Sequence, residues 1–244
     1  MKNTVENNLR TWDQRYDWSK DGDEWDGQAR LCNQPYEAWK RSLIDTFILP
    51  NIAKDVVALE IAPGHGRWSR EMVGRCKELI LVDLSPSCIE FCRKLFASHS
   101  HVQYIANDGK SLPGVKDGSV DFLWSYDSFV HMDPDTIAAY LSEARRVLKP
   151  GGKAIIHHAG RRHEWLWLGF LMRGGKTGRN VYKVFSQASL SDFDGWRSNV
   201  SQELFAKLAE DRGLAVQSQL RSWGANHEFG IPRFRDSMTI LKKT

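Results

Sequence analysis

The chain has 244 residues, of which 41% are hydrophobic, and its formal net charge is only +4. This is enough for one large domain with a buried core, and so small a net charge does not indicate nucleic-acid binding. The sequence has no apolar run of transmembrane length and no charged-then-apolar leader, so we expect a cytoplasmic protein without a membrane span. Its four cysteines form no metal-type Cys-x-x-Cys pair and are typical of a reducing compartment.

The N-terminal residues 1–50 predict a flap followed by a helix. Residues 1–30 are polar and acidic, yet they contain four aromatic residues, Trp12, Tyr16, Trp18 and Trp25. Aromatic side chains are rare in disordered tails, so we expect this segment to become ordered over a bound ligand. Apolar residues then recur at helical spacing over residues 35–49, with Pro35 in the first turn and Pro50 closing the helix.

A buried strand, a glycine turn and a helix follow. The run from Val56 to Ile61 is short and apolar, which is typical of a strand covered on both faces. Gly64 and Gly66 lack a Cβ, so the backbone there can turn sharply and approach a ligand closely. Glu60 lies near the carboxyl end of the strand, where open α/β sheets bind their ligands.

A second acidic residue points to the kind of ligand. Asp83 ends the next apolar run, over residues 79–82, and lies 23 positions after Glu60. An acidic side chain about 20 residues after a glycine turn of this kind meets the ribose hydroxyls of a bound nucleotide. The order of strand, turn, helix, strand and acid therefore predicts a nucleoside-binding half-fold.

Strands and helices continue to alternate along the chain. Helices are predicted over residues 67–75, 85–97, 134–148 and 201–212, with Ser85 or Ser87 capping the second. Further strands are predicted over residues 102–105, 120–124, 153–157, 214–220 and 236–241. The Lys149–Gly152 sequence predicts a stop and a turn before the strand over 153–157. This alternation is typical of a doubly wound parallel sheet.

Five motifs follow one another over about residues 55–160. They are Glu60–Gly66, Val82–Ser85, Asn107–Gly109, Phe122–Ser125 and Leu148–Gly152. In order and spacing they resemble the class I S-adenosylmethionine-dependent methyltransferase family. The resemblance implies a single domain over residues 1–244, built on a doubly wound, seven-stranded α/β sheet. That sheet would be mostly parallel, with one antiparallel strand near the C-terminus and helices on both faces. A nicotinamide enzyme is the alternative, but Ser69 replaces the third glycine of its G-x-G-x-x-G pattern.

The resemblance implies S-adenosylmethionine as the cofactor and suggests its contacts. Asp83 would accept from the ribose hydroxyls, Leu84 would pack on the adenine, and Asp108 would accept from the adenine amino group. Glu60 would face the amino-acid end. The other expected cofactor-binding residues are Trp12, Ala62, Gly64, Gly66, Trp68, Asn107, Gly109, Ser125 and Tyr126. Ala62 replaces the family's usual glycine, which we expect to be tolerated if Ala62 keeps a negative φ.

A histidine is the expected general base for a hydroxyl acceptor, because its ordinary pKa lies close to neutrality. The candidate catalytic residues follow the fourth and fifth strands and are Asp127, His131, His157 and His158. Side-chain alternation allows only one of His157 and His158 to face the cleft. Some relatives bind a divalent metal through a Glu-x-x-Glu-His run, but Val130 replaces the second acid here, so we expect no catalytic metal.

Residues 160–200 interrupt the alternation and are predicted to be a substrate-specificity insertion. They contain seven Lys or Arg residues against three acids, which favours an anionic acceptor, and tryptophans that could stack on a sugar. We therefore predict methyl transfer to a small-molecule or saccharide acceptor, at an oxygen atom. The apolar run over residues 165–172 could be a core helix, a dimer contact or a membrane-surface patch.

Two other functions are compatible with such a fold. A non-catalytic binding subunit is disfavoured because the cofactor residues are intact. An RNA methyltransferase is disfavoured by the low net charge, so no nucleic-acid partner is expected. An N-methyltransferase of nucleobases would carry an Asn/Asp-Pro-Pro-aromatic element, and the corresponding strand end here reads Ser125–Ser128 instead.

Overall fold

A computed structural model describes residues 3–18, 27–160, 175, 177, 197–232 and 235–244. Most of the predicted insertion, including its apolar run over residues 165–172, lies outside these ranges, as does Trp25. Within them, no helix combines the length and the apolar content that crossing a lipid bilayer would require.

Within the described ranges, nine strands form two sheets. Their bounds are β1 Val57–Ile61, β2 Glu78–Asp83, β3 Val102–Ala106, β4 Val120–Ser125, β5 Leu148–His158, β6 Leu214–Leu220, β7 Ser222–Trp223, β8 Phe229–Gly230 and β9 Ser237–Lys243. The main sheet has seven strands in the order β3-β2-β1-β4-β5-β9-β6, and β7 pairs only with β8. In the main sheet, strand β9 runs antiparallel to both of its neighbours, whereas the other pairs of that sheet are parallel. The predicted doubly wound sheet with one antiparallel strand is confirmed.

Seven α-helices accompany these strands within the described residues. They are α1 Val5–Leu9, α2 Gly27–Leu31, α3 Tyr36–Leu43, α4 Ser69–Met72, α5 Pro86–Leu95, α6 Pro134–Val147 and α7 Gln202–Glu210. Helix α1 continues into a π-helical turn over Arg10–Arg15, and α3 continues through π and 3-10 turns to Asn51. Ser85 is the cap of α5, since its side chain accepts from the N–H of Cys88.

Helices pack on both faces of the main sheet because successive side chains of each strand point to opposite sides. Along β1, Leu59 and Ile61 join the core cluster that also contains Phe205 of α7. Ala58, which directly precedes Leu59 and points to the opposite face, joins the second cluster, which contains Leu43 of α3. The sheet is therefore buried on both sides, as the apolar strand sequences predict.

Two local predictions were wrong. The helix predicted over residues 67–75 contains only one α-helical turn, α4. The predicted Lys149–Gly152 turn is instead part of β5, which shifts its register against β4 between Val120 and Phe122. The ammonium of Lys149 bonds the carboxylate of Asp121 at 2.7 Å, so this segment stays attached to the edge of β4 rather than leaving the sheet.

Candidate functional site

A cavity of about 400 Å³ lies at the carboxyl ends of β1, β2 and β4. The strand order reverses between β1 and β4, and ligands of doubly wound sheets bind at such a reversal. Ten predicted site residues line this cavity: Trp12, Ala62, Gly64, Trp68, Asp83, Leu84, Gly109, Tyr126, Asp127 and His131. Seven others do not: Glu60, Gly66, Asn107, Asp108, Ser125, His157 and His158.

The turn after β1 forms one side of the cavity with a backbone that favours glycine. Gly64 has a φ of +55°, and Ala62 has a φ of +60°. The condition of a negative φ at Ala62 is therefore not met, and the left-handed conformation costs an alanine about 1 kcal/mol. The N–H of Ala62 donates to the carbonyl of Val82 at 2.7 Å, and this link to β2 holds the residue in its conformation.

Gly66 contributes to packing rather than to the cavity. Its φ is +81°, and a Cβ on it would lie 3.1 Å from Leu95 and 3.2 Å from Phe96. The absence of a side chain therefore lets this turn approach the end of α5 closely. The predicted contact of Gly66 with the cofactor is not supported by this placement.

Asp83, at the end of β2, presents a carboxylate to the cavity. It accepts from the N–H of Gly64 at 3.2 Å and from the N–H of Ser85 at 2.8 Å. Burial raises the pKa of Asp83 to about 6, although these hydrogen bonds oppose the rise. The group is therefore mainly ionised at neutral pH, and its oxygens keep lone pairs that can accept from a ligand's hydroxyls.

Glu60 does not reach the cavity, contrary to its predicted role. Its buried carboxyl accepts from the hydroxyl of Ser69 at 2.5 Å, which ties α4 to β1. Burial raises the pKa of Glu60 to about 8, so the group is mostly protonated at neutral pH. A protonated side chain enclosed in this way cannot pair with an ammonium group of a ligand.

The loop after β3 contributes backbone rather than acidic side chains. Gly109 lines the cavity, and a Cβ on it would lie 2.8 Å from Cγ1 of Val5. Asp108 is exposed, and its carboxylate accepts from the N–H groups of Lys110 and Ser111 within its own turn. The predicted role of Asp108 at the adenine is therefore not supported by the geometry.

Asn107 acts on the same loop from behind the cavity. Its side-chain oxygen accepts from the N–H of Gly109 at 3.1 Å, and its amide donates to the hydroxyl of Tyr140 at 2.9 Å. Asn107 thus fixes the position of Gly109 instead of lining the cavity itself.

Residues 3–18 form the wall opposite the sheet, and we call them the N-terminal wall. Six of them line the cavity: Val5, Asn8, Leu9, Trp12, Tyr16 and Trp18. The amide of Asn8 donates to the carbonyl of His131 at 2.8 Å. The carboxylate of Asp13 accepts from the hydroxyl of Ser85 at 2.7 Å, close to Asp83. No side chain of Val5–Arg15 is fully buried, so a few polar contacts and stacked rings hold this wall in place.

Ring stacking attaches the far end of the N-terminal wall. The indole of Trp18 stacks on His65, with centroids 4.4 Å apart, and His65 stacks on Phe91 at 3.7 Å. His65 belongs to the glycine turn and Phe91 to α5. The three rings therefore join the wall to the two elements that flank Asp83.

The loop after β4 forms the other end of the cavity. Tyr126, Asp127 and His131 line it, and the ring of His131 lies 5.2 Å from that of Trp12. Asp127 has a φ of +61°, which is unusual for aspartate. Ser125 lies beneath the loop, where its hydroxyl donates to the carbonyl of Ile61 at 2.9 Å, so it supports the loop from inside the sheet.

The three candidate histidines occupy different environments. His158 stacks on Phe205 at 3.7 Å on the face of the sheet that α7 covers, and burial lowers its pKa to about 3. It cannot act as a base at the cavity. His157 points to the opposite face and is buried behind the cavity, stacked on Tyr126 at 4.4 Å. Of the three, His131 alone lines the cavity.

The ring nitrogens of His157 are both engaged. Nδ1 accepts from the N–H of Asp127 at 3.1 Å, so this nitrogen carries no proton. Nε2 therefore carries the proton of the neutral ring and donates to Asp236 at 3.2 Å. A nitrogen whose lone pair already accepts from the backbone is not available as a base, so His157 orders the loop at Asp127.

Fifteen of the lining residues were not predicted as site residues. Among them are Tyr16, Trp18, Arg67 and Arg197. Tyr16 and Trp18 belong to the aromatic set that suggested the flap, and Arg67 directly follows the glycine turn. Arg197 had no signal beyond the basic composition of the insertion.

The fold and the position of the cavity are those of the Rossmann-like methyltransferase fold, and the comparisons agree. Residues 58–152 match a family model described as a methyltransferase domain. The N-methyltransferase NodS from Bradyrhizobium japonicum, solved with S-adenosyl-l-homocysteine, aligns with a TM-score of 0.59 at 14% identity, covering 98% of each chain. The PH0226 protein from Pyrococcus horikoshii aligns with a TM-score of 0.57 at 21% identity, covering 87% of this chain and 93% of that one.

Curated relatives match about half of the chain. A demethylmenaquinone methyltransferase of Staphylococcus epidermidis is 28% identical over 125 residues, which are 50% of this chain and 49% of that protein. The squalestatin hexaketide synthase of a Phoma species is 32% identical over 143 residues, 52% of this chain but only 5% of the synthase. These matches agree with the resemblance to the class I S-adenosylmethionine-dependent methyltransferase family over residues 58–152, and the chain spans about half the length of the demethylmenaquinone methyltransferase that it matches.

The cavity fits the cofactor of this family. Asp83 provides an ionised acceptor beside a turn whose backbone is open to close approach. The hydroxyls of Tyr126 and Thr136 are buried in residues that line the cavity, and neither has a partner within the described part of the chain. Buried polar atoms are rarely left without a partner, so a polar ligand in the cavity accounts for them. Among the described residues, no three His, Cys, Asp or Glu side chains converge on a metal site.

Proposed function

We propose that this protein is an S-adenosylmethionine-dependent methyltransferase acting on a small-molecule acceptor. One observation carries the proposal: the Asp83 carboxylate, held by the N–H groups of Gly64 and Ser85, faces a cavity of about 400 Å³. One end of the cavity carries this carboxylate, and the loop after β4 at the other end leaves a place for a second substrate.

Specific residues would hold the cofactor. Asp83 would accept from its ribose hydroxyls, and the apolar surface of Leu84, Val5 and Gly109 suits a flat base. When bound, S-adenosylmethionine supplies a methyl group that its sulfonium has already activated. The chain's own tasks are to orient the acceptor, exclude water and accept the proton that the acceptor loses.

We further propose that the acceptor atom is an oxygen and that His131 is the base. His131 lines the cavity, and its ring contacts Trp12 of the N-terminal wall, which limits the access of water. An imidazole can take a hydroxyl proton near neutral pH, whereas a ring with the pKa of His158 could not hold it. The acceptor would be an anionic small molecule or a sugar, because the predicted insertion is basic and rich in tryptophan.

The first experiment measures binding of S-adenosylhomocysteine by isothermal titration, followed by a screen for transfer of labelled methyl groups. The screened acceptors would be sugars, phenols and small hydroxy acids. His131→Gln should lower turnover at least about 100-fold and leave affinity for S-adenosylhomocysteine unchanged. His99→Gln, at a half-buried histidine away from the cavity, is the matched control. No binding of S-adenosylhomocysteine would overturn the cofactor proposal, and full turnover by His131→Gln would overturn the base.

A further inference from the structure

Two arginines and one tyrosine stand out at the end of the cavity away from Leu84 and Gly109. Arg67, Tyr126 and Arg197 all line the cavity, and Arg67 and Tyr126 are both at least nine-tenths buried. The side chain of Arg197 is only 13% exposed. Two guanidinium groups and a phenol that line one cavity offer several hydrogen-bond donors, which suits an anionic oxygen group.

Arg197 is held rigidly from one side. Its Nη2 donates to both carboxylate oxygens of Asp236, which is fully buried just before β9. Burial alone would raise the pKa of Asp236, but the guanidinium of Arg197 and the hydrogen bond from His157 outweigh it and lower the pKa. Asp236 thus stays ionised and orients the planar guanidinium, an arrangement that suits recognition of carboxylate or phosphate.

The hydroxyl of Tyr126 needs a hydrogen-bond acceptor. It is buried and has no partner within the described residues. Burial raises the pKa of this hydroxyl well above its ordinary value, so the group stays protonated and can donate. Asp127 adds to that rise and Arg67 opposes it, and the side chains of Arg67 and Tyr126 line the same cavity. A ligand atom that accepts from the hydroxyl would therefore also meet a cation.

Two carboxylates, Asp127 and Asp236, act against the positive charge of Arg67, and both raise the pKa of the Tyr126 hydroxyl. Asp236 lies behind Arg197 and is already bonded to Arg197 and His157. Asp127 lines the cavity but is 35% exposed, so water screens its charge. Neither carboxylate is bonded to the Tyr126 hydroxyl, so the donor is still available to a ligand.

We infer that Arg67, Arg197 and the hydroxyl of Tyr126 form a binding site for an anionic oxygen group, a carboxylate or a phosphate. The inference rests on the proposed function, because it places this site beside the cofactor. Such a group has two possible sources, the methionine carboxylate of the cofactor itself or an anionic group on the acceptor. The two sources predict different binding behaviour.

The decisive variant is Tyr126→Phe. Removing a buried hydroxyl without a partner should leave the free protein as stable or more stable, whereas removing a ligand contact should weaken anion binding. Arg197→Lys keeps a charge beside Asp236 but loses the planar fork. Arg197→Gln combined with Asp236→Asn removes both charges together and avoids leaving Asp236 buried and unpaired. Tyr104→Phe and Arg41→Gln are controls whose residues do not line the cavity.

The experiment compares S-adenosylhomocysteine with methylthioadenosine, which lacks the amino-acid end, by isothermal titration. It also measures the melting temperature with acetate or inorganic phosphate against chloride at equal ionic strength. If the cofactor's carboxylate occupies the site, the variants lose about tenfold in affinity for S-adenosylhomocysteine and none for methylthioadenosine. If an acceptor's anion occupies it, both affinities stay unchanged. Acetate or phosphate then raises the melting temperature of the S-adenosylhomocysteine complex in the parent but not in the variants.

The inference is overturned if Tyr126→Phe changes neither the preference for S-adenosylhomocysteine nor the response to anions. Failure of the proposed function has a different signature, in which neither nucleoside binds to the parent protein. The anion measurement on the free protein still decides the inference in that case, because the three residues are part of the chain itself. No stabilisation of the free parent by acetate or phosphate then rejects it.

Discussion

The indole of Trp18 packs against the backbone of Gly64 so closely that a Cβ on Gly64 would lie 2.8 Å from ring carbon Cη2. Gly64 also donates its N–H to Asp83, and its φ is +55°. One residue without a side chain therefore meets the N-terminal wall on one side and the acid of β2 on the other. The position of the N-terminal wall and the position of the turn that bonds Asp83 therefore depend on each other at Gly64.

Gly64→Ala should weaken binding of S-adenosylhomocysteine at least about tenfold, because the new methyl group displaces Trp18 and strains the turn. Isothermal titration measures the affinity. Gly114→Ala is the matched control, since Gly114 also has a positive φ but a Cβ there meets nothing within 4 Å. That control should cost about 1 kcal/mol of stability in urea unfolding and leave affinity unchanged. Equal losses of affinity in the two variants would contradict the role of Trp18.

Asp83→Asn should lower affinity for S-adenosylhomocysteine by at least about 100-fold, because the amide offers one acceptor oxygen where the carboxylate offers two. In the parent, affinity should fall about tenfold for each pH unit below the Asp83 pKa of about 6, since the protonated carboxyl accepts poorly. The variant should lack this dependence. Titrations across the acid range test both points, and a pH-independent parent would refute the assignment.

Glu60→Gln should change stability rather than binding. Burial raises the pKa of Glu60 to about 8 from an ordinary value of 4.5, so the folded protein keeps a proton that the unfolded chain releases between these values. The contribution of Glu60 to the parent's free energy of unfolding therefore declines as the pH rises from 4.5 to about 8. The variant keeps an acceptor for Ser69, lacks the decline, and should be more stable by on the order of 2 kcal/mol near pH 8.

Urea unfolding at several pH values measures this difference. Glu90→Gln, an exposed residue on α5, is the control and should follow the parent. Because Glu60 does not line the cavity, Glu60→Gln should bind S-adenosylhomocysteine within about twofold of the parent. A large loss of affinity would restore the contact that the sequence predicted for Glu60.

Asp13→Ala removes the acceptor that bonds the hydroxyl of Ser85 and the N–H of Ser87. We expect faster dissociation of S-adenosylhomocysteine, by about threefold to tenfold, because the hydrogen bonds lost help to hold the N-terminal wall. Stopped-flow displacement measures the rate. Global stability should change little, since no side chain of Val5–Arg15 is fully buried. Glu6→Ala, an exposed residue of α1, is the control, and an equal rate for both variants would argue against the wall as a barrier.

The sequence predicted the sheet and one end of the site well because those features depend on local patterns. Apolar runs identified the seven main strands, and the spacing from the glycine turn to Asp83 identified the acid that faces the cavity. A short apolar run that ends in a turn is typical of a buried strand, so the order of residues along the chain is enough to predict it.

The contacts that failed depend on residues distant in sequence. Asp108 bonds its own turn, and Glu60 is enclosed by Ser69, so neither reaches the cavity despite its position at a strand end. Side-chain alternation along β5 allows only one of His157 and His158 to face the cleft. The sequence does not show that the N–H of Asp127 occupies Nδ1 of His157, because this bond is a tertiary contact. Arg197 reaches the cavity because Asp236, 39 residues later, holds it there.

The N-terminal wall has a consequence for how the protein is made. Asn8 bonds the carbonyl of His131, a residue 123 positions later, and Asp13 bonds Ser85, 72 positions later. During synthesis the wall leaves the ribosome before these partners, which emerge only after β2 and β4 have been translated. The nascent chain therefore exposes Trp12 and Trp18 while most of the sheet is still unmade. The cavity is completed late, so a bound nucleoside can stabilise only the final stage of folding.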